Sequence, residues 1–177
     1  MGPYTTGSRI RSPKLNHHCT NRYGWIEEIA VAGAVNDRTE ADWTDVLASV
    51  PLFAGLSKRH VHGIAKLAKI QSYPAFTELV REGHRGESFY LILDGAAVVR
   101  PPGKRAVKLG IGDFFGELSL LDNAPRSATV QAQSEVLVAR IGRADFLRML
   151  QHEPKVALVL LTSLAGRLRA TEASARH

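Results

Sequence analysis

The residues best suited to chemistry lie in one short segment, Asp113-Phe-Phe-Gly-Glu-Leu-Ser-Leu-Leu-Asp-Asn-Ala-Pro-Arg-Ser-Ala-Thr-Val130. Gly116-Glu117-Leu118-Ser119 brings a carboxylate and a run of backbone amides to a glycine turn. Arg126-Ser127 then adds a guanidinium and a hydroxyl. A buried phosphate needs a permanent, geometrically matched countercharge. Arg126 meets that need, because a guanidinium stays protonated and pairs with two oxygens at once. Ser127 can donate a further hydrogen bond. Amides opening a helical turn at Gly116 point at an anion, and glycine lets the anion approach closely. Glu117 can accept a hydrogen bond from a ribose 2′-hydroxyl, and Pro125 stiffens the chain just before Arg126. Taken alone, Glu117 and Arg126 read as a surface salt bridge and Gly116-Glu117 as a strand-to-helix turn. Together they suit recognition of a ligand with one anionic phosphate and one ribose hydroxyl.

Other chemistry is poorly represented. There is no metal-ligand spacing, nucleophile elbow or Walker-type phosphate loop, so no catalytic residue, metal or catalytic cofactor is expected and the chain reads as a non-enzyme. His17-His18-Cys19 lacks a second ligand pair at zinc spacing. Met1-Gly2 with Thr6 has the outline of a myristoylation signal, but Pro3 beside the acceptor glycine argues against it. Cys19 is the sole cysteine, which excludes an internal disulfide and fits a reducing compartment. No window approaches ~18 uninterrupted apolar residues, so no membrane span is expected. No secretory signal is visible at the N-terminus, and a cytoplasmic location is expected. The formal charge of +6 permits nucleic-acid contact. Arg9, Arg11, Lys14 and Arg22 stand without acids, but the other cations are interspersed with Asp and Glu. There is no aromatic-interleaved basic stripe and no helix-turn-helix pattern. A solvated basic surface is the better reading.

These groups need elements to position them. At 177 residues the chain fits one domain plus an extension, with residues 1–40 expected as a flexible extension and 41–177 as the domain. Ile26 to Val35 suggests a short helix within the extension. A helix start is expected near Ala41, a turn at Pro51-Leu52-Phe53, and a helix capped by Ser57 with Val61, Ile64, Ala65, Leu67 and Ala68 inward. Strands are expected over Thr77–Arg81, Ser88–Leu93, Ala96–Arg100, Ala106–Leu109, Ala128–Gln133 and Glu135–Ile141. Glycine and proline turns separate them, the rhythm of an all-β sandwich or barrel. After Ile141 the period becomes helical, with one helix from Arg143 to Leu150 and a longer one from about Glu153 to Ala175. Ala157, Leu161, Leu164, Leu168 and Thr171 share one face of the latter.

The Asp113–Val130 segment resembles the phosphate-binding cassette of the cyclic nucleotide-binding domain family. The resemblance covers roughly residues 45–175, including Leu52-Phe-Ala-Gly-Leu-Ser57 and Gly83-His-Arg-Gly-Glu-Ser-Phe-Tyr-Leu-Ile-Leu-Asp-Gly95. It implies a mainly β fold, an eight-stranded β-roll (jelly roll) with N-terminal helices and a C-terminal capping helix pair. It implies that Glu117 binds the ribose, that Arg126 and Ser127 bind the phosphate, and that backbone of Gly116, Leu118 and Ser119 completes the cradle. Val99, Val107 and Leu109 are then expected on the base side. Leu164-Ala-Gly-Arg-Leu-Arg-Ala-Thr-Glu172 is similar to the ligand-capping helix of bacterial catabolite activators, which makes a bacterial protein the expectation. It offers Thr171 to an adenine amino group, with Arg167 nearby. Ser127, where cyclic-GMP-selective relatives often carry threonine, favours cyclic AMP over cyclic GMP.

The resemblance thus implies a cyclic-AMP-binding regulatory module in signal transduction that switches by closing the loop and the last helix. Its implied partners are the cyclic nucleotide, a protein effector or neighbouring domain, and a second copy through the C-terminal helix. Bacterial activators continue beyond this helix into a DNA-binding domain, whereas this chain stops at His177, so direct DNA binding is not expected. An interaction module that no longer binds nucleotide, or the sensor piece of a transcription factor or regulated enzyme, are the alternatives.

Overall fold

The structure, a computed structural model, describes residues 40–175. The expected extension, with its Ile26–Val35 helix and the His17-His18-Cys19 triplet, lies outside the described residues. Helix α1 (Glu40–Ala48) leads through a 3-10 turn at Pro51–Phe53 into α2 (Lys58–Leu67). Ser57 caps α2 as its position predicts, its hydroxyl accepting from the His60 amide at 3.4 Å. Val61 and Ile64 face inward. The helix stops one residue earlier than the sequence suggested. Ala68 opens strand β1 (Ala68–Tyr73), whose six residues all register against a later strand. Long-range pairing thus outcompetes the local helical pattern there.

The strands that follow are β2 (Glu78–Val80), β3 (Ser88–Asp94), β4 (Ala97–Arg100), β5 (Val107–Leu109) and β6 (Phe114–Phe115). Then come helix α3 (Leu118–Leu121), strands β7 (Thr129–Ala132) and β8 (Val136–Gly142), and helices α4 (Arg143–His152) and α5 (Pro154–Ala175). The eight strands form two four-stranded sheets, ordered β1-β8-β3-β6 and β2-β7-β4-β5. This is the expected mainly β roll with flanking helices. Strands β1 and β6 were not foreseen individually, since the two residues of β6 are too few to show a period. At the Asp94-Gly95 turn, Gly95 holds φ +78° and an added Cβ would lie 2.1 Å from the Glu135 carbonyl oxygen. Only glycine satisfies both conditions.

Strand β3 is apolar along its length because both its faces are buried. Phe89, Leu91 and Leu93 face a core shared with Trp43, Leu47 and the helices. Phe89 stacks on Phe146 of α4 with ring centroids 4.7 Å apart. Tyr90 and Ile92 face the interior of the roll, with Ala97, Leu109, Val130, Val136 and Val138. Each fully buried side chain of this size contributes about 1.5–3 kcal/mol by leaving water.

Helix α5 docks through Val156 and Leu160, which are fully buried. Of the face expected from the sequence, Leu161 and Leu168 are each more than 60% exposed while Ala157 and Leu164 are half-buried, and Leu158 outside that face is exposed as well. Leu161 lies one residue beyond Leu160, about 100° further round the helix. Among the described residues no helix is long and apolar enough to cross a membrane.

Candidate functional site

The loop from β6 through α3 to β7 is wrapped around one guanidinium. Arg126 is 7% exposed, although it sits in a surface loop. Its Nη1 donates to the Gly116 carbonyl at 2.7 Å and to the Ser119 hydroxyl at 2.8 Å. Its Nη2 donates to the Ser88 carbonyl at 2.6 Å. Backbone bonds hold the residue in place, since the Arg126 amide donates to His84 O and the Gly83 amide donates to Arg126 O. Pro125 bridges to Arg85 beside them. The arginine is therefore oriented by the β2–β3 loop as much as by the cassette.

Gly116 is required for this packing. It adopts φ +86°, and an added Cβ would lie 2.5 Å from Arg126 Nη1 and 2.9 Å from Ser88 O. The sequence suggested that this glycine clears space for a phosphate; in the structure it also clears space for the guanidinium. Ser119, expected to contribute backbone, contributes its side chain as well. The four-residue helix α3 makes its first ladder bonds from the amides of Leu120 and Leu121 to Glu117 O. The earlier amides of the turn stand outside that ladder. Leu118 presents a side chain 42% exposed. Arg143, at the start of α4, holds the turn from below by donating to Ser119 O at 3.1 Å.

Glu117 is 2% exposed, and its partner comes from the far end of the chain. Arg167 of α5 donates from Nη1 to Glu117 Oε1 at 2.9 Å and from Nη2 to Phe114 O at 3.0 Å. The Arg167 guanidinium also lies over the Phe114 ring, 4.9 Å from its centroid. Burial pushes the Glu117 carboxyl above the ordinary carboxylate range; Arg167, its own backbone N–H and Arg126 pull it down without cancelling the effect. Burial likewise lowers Arg126, with Tyr90 and Glu117 opposing and Arg140 reinforcing. A guanidinium keeps its charge through any such change at working pH.

The structure thus gathers Gly116, Ser119 and Arg126 into one hydrogen-bonded set and Glu117 with Arg167 into a second on the same loop. Ser127 follows directly but is exposed and outside both sets. The base-side candidates share one face, since Ala97 pairs with Leu109 and Val99 with Val107 across β4 and β5. Leu109 is buried in the roll, Val99 packs beside that core, and Val107 is 53% exposed at the rim. Thr171 belongs to α5, but its side chain lies outside the described residues. Sequence reasoning missed Ser88 and Arg140, whose Nε donates to the Ser88 hydroxyl at 2.8 Å. The available signal was the period-2 row Val136, Val138, Arg140, which puts a charge on the inward face of β8.

Residues 70–153 match the family model of the cyclic nucleotide-binding domain. With the two-sheet roll and its cassette, this identifies a cyclic nucleotide-binding domain over those residues. A cAMP-dependent protein kinase regulatory subunit from the fungus Debaryomyces hansenii is 38% identical over 109 residues, covering 61% of this chain and 24% of that protein. The chain thus spans about a quarter of the length of this relative. The regulatory domain of Toxoplasma gondii PKA, solved with cAMP, superposes with TM-score 0.62 and 28% identity, covering 70% of this chain and 49% of that one. Thermus thermophilus catabolite activator protein gives TM-score 0.63 and 32% identity, covering 70% and 61%. The expectation of a bacterial protein, drawn from the closing helix, is corrected by the fungal relative. The likeness to a bacterial activator remains one of fold and sequence over the same domain.

The raised carboxyl of Glu117 has a consequence for stability. The unfolded chain ionises Glu117 at lower pH than the folded chain does, so ionisation opposes folding as pH rises through that interval and beyond it. In acid, where both states are protonated, the cost vanishes. Glu117→Gln should therefore gain melting temperature relative to wild type as pH is raised from about 4 to 7. Thermal melts across that range check it, and a gap that narrows or stays flat contradicts it.

Proposed function

We propose that this chain is a non-catalytic regulatory module that binds a cyclic nucleotide, cAMP in preference to cGMP, with residues 41–177 as the binding domain and 1–40 as an extension. The observation that carries the reading is the paired burial of Glu117 and Arg126 on one cassette, with Arg167 of α5 already bonded to Glu117. A cyclic phosphate would take over the Arg126 donors now directed at Gly116 O, Ser119 and Ser88 O. The ribose 2′-hydroxyl would donate to the Glu117 carboxylate, beside or in place of the Arg167 contact. The base would lie toward Leu109, Val99 and Val107, with Thr171 closing over its amino edge. Ser127 would complete the phosphate contacts once the loop moves inward. The cAMP named for the Toxoplasma and Debaryomyces relatives supports that choice of ligand.

The switch is a population shift between two arrangements of the cassette and α5. Each ligand-induced change at Glu117 is felt at Arg167, hence by the helix that carries it. The altered surface of α5 is what a protein effector or neighbouring domain would read. The exposed Leu158, Leu161 and Leu168 favour a further use of that helix, as a seam between two copies of the chain.

Calorimetric titration should show cAMP binding more tightly than cGMP, and absence of heat and of any melting shift with both at millimolar concentration sinks the proposal. Arg126→Ala should lose ~2–5 kcal/mol of binding, roughly 30-fold or more in Kd. Unchanged affinity in that variant would place the phosphate elsewhere. Thr171→Val should weaken cAMP and narrow its advantage over cGMP; an unaltered preference removes Thr171 from the site. For the seam, sedimentation should give a dimer that Leu161→Glu dissociates, and a wild-type monomer at high concentration rules it out.

A further inference from the structure

A cavity of about 330 Å³ opens beside Arg126 on the β2–β3 loop side. Arg126, Arg140, Ser88 and Tyr90 form its inner wall, whereas Glu117, Ser127, Val99, Val107 and Leu109 do not line it. Ser88 joins the two guanidiniums directly: its carbonyl accepts from Arg126 and its hydroxyl from Arg140. Arg140 projects inward because it occupies the same face of β8 as Val136 and Val138, opposite Tyr90 on β3. On its other side Arg140 is in register with Lys69 of β1. A second hollow of about 210 Å³ continues from Ser88 and Arg140 to Lys69.

The charges along this path do not balance. The carboxylates that line the two hollows are Glu78, Glu87 and Asp145. Each is already paired with another arginine: Glu78 with Arg81, Glu87 with Arg85, and Asp145 with Arg148. Among the described residues, no carboxylate lies within ion-pair reach of Arg126, Arg140 or Lys69. Two guanidiniums tied to one serine, neither of them in a salt bridge, repel each other. Arg140 adds to the burial that lowers Arg126, while Tyr90 and the nearby Glu117 act against it. Held at this separation, they lack an anion with charge to spare for both.

We propose that Arg140, with Arg126 and Ser88, forms a second anion subsite in the roll that takes a phosphomonoester dianion, free or carried by a nucleotide. A cyclic phosphodiester carries one negative charge, which Arg126 alone can match. A phosphomonoester carries close to two above its second pKa near 6, and planar guanidiniums suit its oxygens bidentately. The subsite goes beyond the cyclic-nucleotide reading and shares only Arg126 with it. Lys69 extends the positive path toward solvent.

Titrations of the full chain with inorganic phosphate, 5′-AMP and cAMP at constant ionic strength test the subsite, alongside Arg140→Met and Arg140→Lys. Inorganic phosphate or 5′-AMP should bind wild type and raise its melting temperature. Arg140→Met should weaken that binding about tenfold, and Arg140→Lys should restore part of it. Tighter 5′-AMP than inorganic phosphate identifies the nucleotide as the source of the dianion, and equal affinities identify the free ion. Neither ligand binding to wild type, or equal affinity in wild type and Arg140→Met, overturns the subsite. Phosphate binding that depends on Arg140 in a protein that ignores cAMP would sink the cyclic-nucleotide reading and leave the subsite standing.

Discussion

A permanently charged guanidinium is held almost out of water at Arg126, and much of the surrounding architecture follows from that constraint. A charge so buried must have its N–H groups satisfied, because an unpaired buried charge is prohibitively costly. Three acceptors from two separate stretches answer it: Gly116 O and the Ser119 hydroxyl from the cassette, and Ser88 O from the start of β3. The positive φ of Gly116 is imposed by the same packing. The β2–β3 loop is tied to the cassette through His84 O and Gly83 N on the Arg126 backbone. One side chain therefore fixes how two loops and a strand meet.

The second buried charge, Glu117, extends this coupling to the end of the chain. Its carboxylate is inaccessible to solvent, and its ion-pair partner is on α5. Among its described residues, helix α5 buries Val156 and Leu160 fully, near its start, with Val159 packed beside them, while its later turns are largely exposed. Arg167 is thus a polar tether on the loosely packed half of the helix, combining two hydrogen bonds with stacking over Phe114. With Glu117 as the proposed ribose acceptor, this tether would make the helix position depend on what the carboxylate holds, a two-state element biased by a local electrostatic event.

The sheets supply the rigidity that such a switch needs. Strand β3 is buried on both faces and pairs with β8 along nearly its whole length. It carries Ser88 at one end, so the acceptors for both Arg126 and Arg140 stand on the most restrained strand. In the proposed switch, the short cassette helix and α5 would move against this fixed wall, which would receive the phosphate, so that preorganisation on one side and freedom on the other would divide recognition from response.

The sequence by itself carried the cassette pattern and most of the roll. Gly116-Glu117 followed by Pro125-Arg126-Ser127 is a local pattern, and a strand such as Ser88–Leu93 announces itself as a short apolar run closed by the Asp94-Gly95 turn. Strand β1 was not legible, because Ala68–Tyr73 gains strand character only by pairing with β8, far along the chain. The outward turn of Leu161 and Leu168 was not legible either, since a helical stripe shows which residues share a face and not which face finds a partner. Only the tertiary structure decided that Arg167 reaches Glu117 and that Ser88 joins Arg126 to Arg140. Those contacts link residues 38 to 52 positions apart, where no periodicity operates and the meeting is set by how the two sheets and the last helix close on one another.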